Sequence, residues 1–235
     1  MTDTTGKDLS DPTRARLLSA AADVFSTHGY HHATIRQIVE HAGSNIAAVN
    51  YHFHGKAGLY SSLFHELIRL NHAHASMESA LPATSAPIIR LRAFVRGMLA
   101  SIMDERGAQP ALGKLMIREM IEPTHALDEV VRDMIRPTQQ YLAALVADIV
   151  GRALSDEEIY FATTSIISQI VFHKHCRAVV DRLFPSRDLS TSGIERHADY
   201  LADFCHAGLL TMNAPQPAAL KNRQPRTRIL KGDRP

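Results

Sequence analysis

The sequence predicts an all-α protein of about nine helices, and three observations lead to this class. Apolar residues recur at intervals of three and four through most of the chain, which is the period of an amphipathic helix. Ser or Thr is followed three residues later by Glu or Gln at several points where a helix can start. No stretch of useful length alternates apolar and polar residues as a half-buried strand does. We therefore expect a head of three helices joined to a larger helical domain.

The first helix of the head starts at Ser10-Asp11-Pro12. There an oxygen that can cap a helix precedes a proline, whose missing N–H costs nothing in a first turn. Leu17, Leu18, Ala21, Val24 and Phe25 lie on one side of this helix. We expect it to end before Gly29 and to leave a loop that leads to Thr34.

A helix-turn-helix is predicted over residues 34–53. Thr34 and Gln37 are spaced as a capping box, which starts one helix, and Gly43 suits the left-handed stop that ends it. Asn45 can cap the helix that follows after a very short turn. Two short helices joined this tightly indicate a DNA-recognition unit.

The second helix of this unit carries two kinds of surface. Its inward stripe is expected to contain Ile46, Val49 and Phe53. The residues left facing outward are Ala47, Ala48, Asn50, Tyr51 and His52. Small residues next to polar and aromatic ones make a surface that can approach DNA closely.

The remaining elements follow from proline, glycine and capping signals. Helices are expected from Ala57 to about Ala80, from Pro87 to about Met103, from Pro110 to about Ile121, and from about Thr124 to Gly151 with a kink or restart at Pro137. Ser155 and Glu158 are spaced as a capping box that starts a helix to about Leu183, and Ser192 and Glu195 repeat this spacing at the start of the last helix. The proline- and serine-rich stretch 81–87 is the expected linker. We therefore place the head in residues 11–71, the larger domain in 85–212 and a basic, disordered tail in 213–235.

Composition sets limits on the class of protein. A chain of 235 residues is long enough for two domains of unequal size, and no apolar run is long enough to span a bilayer. Cys176 and Cys205 match no metal or redox spacing, so reduced thiols and a cytoplasmic protein are expected. The net charge of +2 neither requires nor excludes a nucleic-acid partner. We expect no membrane association.

Catalytic and metal-binding motifs are not found in the sequence. It has no G-x-S-x-G elbow, no P-loop and no H-E-x-x-H, so neither an enzyme nor a metal site or cofactor is expected. His173 and His175 are two residues apart, which places them on different faces of a helix. Polar residues within apolar stretches remain: Arg118, Glu119, Gln169, His173 and His175. They are either satisfied core or interface groups or the lining of a ligand pocket.

The head resembles the N-terminal domain of TetR-type transcriptional regulators. The resemblance is carried by the AA-x-x-F and GY end of the first helix, the T-I-R-x-I start of the second, the AG turn and the Y-H-F-x-x-K close. The SNIAAVNYHF version, together with LRAFVRGMLASI and the helices that follow it, is similar to the CecR-like subgroup. The resemblance covers roughly residues 12–212 and excludes the basic tail.

The resemblance implies a homodimer whose last two helices form a four-helix interface, with a ligand pocket in each larger domain. It places Thr34 and Lys56 on DNA phosphates, and Tyr51 and His52 on the backbone or base edges. The recognition face it implies contains Asn45, Ile46, Ala47, Ala48 and Asn50. Ile46 stands where many members carry lysine or arginine, so a guanine contact from that position is missing. We therefore expect Asn50, which can pair bidentately with adenine, and the shape of the groove to carry more of the readout here.

Two functions remain open from the sequence. The first is a ligand-responsive repressor that binds a pseudo-palindromic DNA operator as a dimer and is released by a small-molecule inducer. The alternative is an all-helical ligand-binding and dimerisation protein that does not bind DNA, which the uncharged Ile46 favours. Arg118, Glu119, Gln169 and His173 are the candidate ligand residues in both cases.

Overall fold

A computed structural model describes residues 11–78, 81–82, 84–103 and 110–213. The helices are α1 (Pro12–His32), α2 (Ile35–Ala42), α3 (Ile46–Phe53), α4 (Lys56–Glu78), α5 (Pro87–Met103), α6 (Pro110–Ile121), α7 (Ala126–Val130), α8 (Arg136–Val150), α9 (Asp156–His175), α10 (Arg177–Leu183) and α11 (Thr191–Thr211). A π-helical turn, Val131–Ile135, joins α7 to α8. These ranges contain no strand, and the all-α class is confirmed.

The head consists of α1, α2, α3 and the start of α4. Asp11 caps α1 by accepting a hydrogen bond from the Thr13 N–H at 2.8 Å. The regular part of α1 ends before Gly29, as expected, because Gly29 is non-helical with φ +75°. Residues 30–32 form a further helical turn instead of the expected loop. The head core is built of fully buried apolar side chains from these helices, among them Leu17, Phe25, Ile38, Val49, Leu59 and Phe64.

The body core is separate from the head core and lies among α5, α8, α9 and α11. Its fully buried members include Leu91, Leu99, Leu142, Val146, Ile170 and Ala202. Ion pairs between Arg92 and Asp203 (2.6 Å) and between Arg96 and Asp199 (2.9 Å) join α5 to α11 at the surface. Exposed pairs of this kind contribute little stability, so the packing of α5 against α11 depends on the apolar side chains.

The helix numbers run to α11, although about nine helices were expected, because two of the expected helices are each divided into two. The helix predicted from Thr124 contains the π turn shortly before Pro137, which cannot donate a backbone hydrogen bond. The helix predicted from Ser155 breaks at Cys176, whose φ and ψ are −102° and 19°.

The start of the last helix was wrongly predicted. Ser190, not Ser192, caps α11 by accepting a hydrogen bond from the Gly193 N–H at 3.2 Å. Asp188 Oδ1 accepts a hydrogen bond from the Ser190 N–H at 2.9 Å, which holds Ser190 in the capping position. Two serines spaced by one residue offer similar capping oxygens, and the preceding loop decides between them.

The two cores do not divide at the linker. Leu115 of α6 and Ala126 and Val130 of α7 are fully buried in the head core, although all three follow the linker in sequence. The domain bounds 11–71 and 85–212 therefore stay predictions about the chain, and the packing assigns the buried side chains of α6 and α7 to the head core. The basic tail after Asn213 lies outside the described residues.

No helix in the described part of the chain is long and apolar enough to cross a membrane. Within the same ranges, no three His, Cys, Asp or Glu side chains are grouped so that they could hold a metal ion. Cys176 and Cys205 are both free thiols, and Cys205 is buried.

Candidate nucleic-acid interface

The helix-turn-helix is built by local capping, as the sequence predicts. Thr34 Oγ1 accepts a hydrogen bond from the Gln37 N–H at 3.2 Å, and the Thr34 N–H donates to Gln37 Oε1 at 2.8 Å. Gly43 ends α2 in the left-handed conformation with φ +57°. Asn45 Oδ1 then accepts a hydrogen bond from the Ala48 N–H at 2.9 Å. These caps satisfy the end groups of both helices and fix the direction of α3 relative to α2.

The exit from α3 is held by a close backbone contact. His54 ends α3 in the left-handed conformation, with φ 60°. A Cβ built on Gly58 would lie 1.9 Å from the carbonyl oxygen of Phe53, so only glycine permits α4 to pack this closely. The C-terminal end of α3 therefore packs directly against the first turn of α4.

The exposed face of α3 differs in part from the predicted one. Val49 and Phe53 are buried as expected. Ile46, predicted from periodicity to face inward, is 50% exposed, in agreement with the recognition face that the family resemblance implies. Tyr51 is 80% exposed, and Ala47 and Asn50 are exposed beside it. Ala48 is partly buried against the head core. We call the surface of Ile46, Ala47, Asn50 and Tyr51 the recognition face.

His52, predicted to face outward, points towards the start of α1 instead. Its side chain is 7% exposed, and its Nε2 lies 3.6 Å from Asp11 Oδ2. The backbone hydrogen bond from Thr13 is the main reason that the pKa of Asp11 lies below its usual value, and the charge of His52 contributes. The His52 ring also meets the Tyr51 ring edge to face at 4.8 Å. Asp11 is thus a residue of the site that periodicity could not identify.

Lys56 begins α4 and lies beside the end of α1. Its Nζ is 4.6 Å from the centre of the Tyr30 ring and donates a hydrogen bond to the His31 carbonyl oxygen at 3.4 Å. Partial burial lowers the pKa of Lys56. Thr34, the other predicted phosphate-binding residue, is exposed, and its hydroxyl also donates to Gln37 Oε1 at 2.9 Å. Thr34 caps α2 at the start of the helix-turn-helix, and Lys56 begins α4 just after its end.

The four predicted ligand residues do not form one site. Arg118 lies at the contact between the head and α6. Its Nε donates to the Ser26 carbonyl oxygen at 3.2 Å, and its Nη2 donates to the Thr27 carbonyl oxygen at 2.6 Å. These carbonyls belong to the last regular turn of α1 before the break at Gly29. A guanidinium at the end of a helix is favoured by the helix dipole.

Glu119 lies on the same contact and is 1% exposed. Its Oε1 accepts a hydrogen bond from the Tyr60 hydroxyl of α4 at 2.7 Å. Thr124 donates to the same carboxylate from its hydroxyl at 3.0 Å and from its N–H at 3.1 Å. Burial and the bond to Glu119 raise the pKa of Tyr60. We call Tyr60, Arg118, Glu119 and Thr124 the junction cluster, because they join α6 to the head.

Gln169 and His173 lie elsewhere, on an open groove of about 570 Å³ between α9 and α11. Gln169 donates hydrogen bonds to the Ser165 carbonyl oxygen at 2.9 Å and to Cys205 Sγ at 3.6 Å. The His173 ring meets the His197 ring at 4.5 Å, and burial is the main cause of a lowered pKa at His173.

Five aromatic side chains of α9 and α11 are about half exposed or more: Tyr160, Phe161, Phe172, Tyr200 and Phe204. Phe172, Tyr200 and Phe204 line this groove. Aromatic side chains are enriched in protein–protein interfaces relative to the rest of a protein surface. We call this surface of α9 and α11 the aromatic face. The polar residues that the sequence grouped together are thus divided between the junction cluster and the aromatic face.

Two family descriptions match the chain. Residues 17–63 match bacterial regulatory proteins of the tetR family. Residues 87–209 match the C-terminal domain of the HTH-type transcriptional dual regulator CecR. The two matches together cover the helix-turn-helix and most of the body.

Curated relatives agree with these matches. The chain is 29% identical over 171 residues to the HTH-type transcriptional dual regulator CecR of Shigella flexneri, which covers 68% of this chain and 75% of that protein. It is 29% identical over 119 residues to the HTH-type transcriptional regulator RutR of Escherichia coli strain K12, covering 50% of this chain and 53% of RutR. These relatives are transcriptional regulators and not enzymes.

Solved structures share the fold. The transcriptional regulator FadR of Bacillus subtilis, in complex with stearoyl-CoA, has a TM-score of 0.61 at 15% identity and covers 83% of this chain and 98% of that chain. A HlyIIR mutant protein has a TM-score of 0.56 at 24% identity and covers 78% and 94%.

Proposed function

Because this chain belongs to the TetR family of bacterial regulatory proteins and carries a CecR-type C-terminal domain, we propose that it is a dimeric, ligand-responsive repressor that binds a pseudo-palindromic operator. The observation that carries the proposal is the recognition face, on a helix whose direction is fixed by caps at both ends. A major groove admits one such helix, and its exposed side chains can reach the base edges.

Each residue of the interface has a proposed role. Asn50 pairs with an adenine through its amide, and Tyr51 contacts the backbone or a base edge beside it. Ala47 is small enough to let α3 approach the bases. Thr34 and Lys56 bind phosphates, which position the head without reading sequence. Lys56 reaches a phosphate when its Nζ turns away from the Tyr30 ring.

The remaining predicted residues are treated differently. Asn45 uses its carbonyl oxygen for the cap and keeps its amide NH₂ for DNA. Ala48 is removed from the contacting set because it packs partly buried against the head core, and His52 because its side chain is only 7% exposed. We propose that His52 instead supports the recognition face, since it lies between Asp11 and the Tyr51 ring.

The proposed dimer is formed through the aromatic face. Two copies of α9 and α11 related by a twofold axis make a four-helix interface and cover the exposed rings. The two recognition helices then stand at a fixed separation. An operator matches them when its half-sites are spaced by about 34–36 Å or a multiple of this distance. Gln169 and His173 belong to this interface in the proposal, and not to the ligand site.

The proposed release depends on the junction cluster. An inducer that binds the body can lower operator affinity only by its differential affinity for two arrangements of the heads. Arg118 and Glu119 of α6 are bonded directly to α1 and α4 of the head. A ligand that displaces α6 therefore moves the head, because these bonds are short and partly buried.

The proposal is tested by a DNA-shift assay with the full-length protein. The probes are duplexes recovered from random DNA by repeated selection on the wild-type chain. We expect specific binding by the dimer that weakens steeply as salt rises. Asn50→Ala and Tyr51→Ala are expected to lose binding while remaining folded and dimeric. Tyr141→Ala is the matched control, because this tyrosine is 46% exposed on α8 in the body.

The outcome separates the two functions. The function as a DNA-binding regulator is supported if both α3 variants lose specific binding and the control retains it. Unchanged affinity in both variants would remove α3 from DNA recognition. No specific binding by the wild-type dimer would favour the alternative, an all-helical ligand-binding and dimerisation protein.

A further inference from the structure

The recognition face combines four side chains and carries no formal charge. Each residue turns an α-helix by about 100°, so positions 46, 50, 47 and 51 follow one another around one side of α3. The exposure of each residue agrees with this arrangement. Ile46 lies at the first position of α3, and it is the large aliphatic side chain of the face.

Ile46 can read only one feature of a base edge. An isoleucine has neither donor nor acceptor, and the 5-methyl group of thymine is the apolar group that a base presents in the major groove. N-terminal residues of a recognition helix are those that contact base edges. The Ile46 side chain is half exposed at the first position of α3, so it is accessible to a base edge.

Geometry favours Ile46 over its neighbour Ala47 for this contact. Both residues are exposed, but the side chain of Ala47 ends at Cβ and cannot reach as far. The β-branched side chain of Ile46 is restricted at χ1 within a helix, so it loses little freedom when it is buried. An aliphatic side chain held in one direction is suited to contact with a methyl group.

We infer that Ile46 is a specificity-determining residue that contacts the 5-methyl group of a thymine in each operator half-site. The inference rests on the proposed function. Together with Asn50, which pairs with adenine, it predicts that the bases under α3 are rich in A·T pairs. The first position of α3 then selects thymine.

The test replaces single thymines of the selected duplex by uracil, which keeps base pairing and removes only the 5-methyl group. The wild-type chain is expected to lose about fourfold in affinity for each contacted half-site, the value of one buried methyl-sized group. Ile46→Ala is expected to bind the thymine duplex more weakly and to show no further loss with uracil. Ile89→Ala is the matched control, since Ile89 is 48% exposed on α5.

Each outcome decides between the possibilities. A uracil penalty that is present in the wild type and in Ile89→Ala, and absent in Ile46→Ala, supports the contact. An equal penalty in the wild type and in Ile46→Ala, or no penalty at any thymine, overturns it and leaves DNA binding itself intact. Failure of the wild type to bind any selected duplex instead overturns the proposed function, and the inference with it.

Discussion

Replacement of Tyr60 by phenylalanine removes one hydroxyl from the junction cluster and leaves the ring. That hydroxyl donates to Glu119 Oε1 at 2.7 Å in a site where Glu119 is 1% exposed. The ring packs edge to face on Phe25 at 4.7 Å and on Phe64 at 5.1 Å, and both contacts survive the substitution. Tyr60→Phe therefore isolates the hydrogen bond between the head and α6.

The expected loss follows from the burial of the acceptor. A hydrogen bond to a charged group contributes about 1.5–3 kcal/mol, and a buried acceptor that loses a donor is costly because water cannot replace it. Thr124 continues to donate to the same carboxylate, which limits the loss. We expect the free energy of unfolding to fall by about 2 kcal/mol. In a chain of this length Tm falls by roughly 4–8 °C.

The measurement is urea unfolding of the full-length protein at one fixed concentration, because the stability of a dimer depends on concentration. Tyr141→Phe is the control, and an exposed hydroxyl is expected to change the free energy of unfolding by less than about 0.5 kcal/mol. A Tyr60→Phe value as small as that of the control would refute the reasoning. It would mean that the hydrogen bond from Tyr60 to Glu119 makes no net contribution to the free energy of unfolding.

Four further predictions concern other parts of the molecule. Arg118→Met removes both donations to the α1 carbonyls, so urea unfolding should show a loss of about 1–2 kcal/mol, of which Arg118→Lys recovers only a part. Asp11→Ser keeps an oxygen that can cap α1 but removes the partner of His52. Removal of a negative charge near DNA would by itself raise operator affinity. We expect the loss of support for His52 to dominate, so operator affinity should fall in a binding titration. Phe204→Asp places a charge on the aromatic face and should give monomers in sedimentation. The Arg152 guanidinium, with the Ser155 N–H, lowers the pKa of Glu158 from 4.5 to about 2. The ionised Glu158 therefore stabilises the fold above pH 4.5, and this contribution is lost as pH falls towards 2. The free energy of unfolding of Glu158→Gln should depend less on pH in that window than that of the wild type.

Features set by neighbours in sequence were predictable. The capping boxes of Thr34 with Gln37 and of Ser155 with Glu158 were both predicted and are both present. In each, donor and acceptor lie within one helical turn, so the sequence contains the whole interaction. The cap of α11 was wrongly predicted because its selection depends on Asp188, which precedes the candidate serines in a loop.

Features set by distant partners were not predictable in the same way. Periodicity places Ile46 on the inward stripe, about 20° from Phe53, yet Ile46 is half exposed at the first position of α3. His52 is turned inward by Asp11, which is far away in sequence and close in space. A pattern within one helix does not contain such a contact.

Polar residues within apolar stretches were the most ambiguous signal. Arg118 and His173 gave the same pattern, although one bonds to helix carbonyls of the head and the other packs against His197 on the aromatic face. Burial of a polar group requires a partner, but the sequence does not say whether this partner is a neighbouring helix, a second copy or a ligand.

The packing of α6 and α7 into the head core, although both follow the linker in sequence, limits how chimaeric regulators can be built. An exchange of heads made at residues 81–87 would leave Leu115, Ala126 and Val130 of the recipient against a foreign head core. Side chains packed at crystal-like density do not accept new neighbours without cavities or overlap. A working hybrid of this protein therefore needs the head-facing side chains of α6 and α7 exchanged together with the head, so the unit that can be transplanted is defined by contacts rather than by a contiguous stretch of chain.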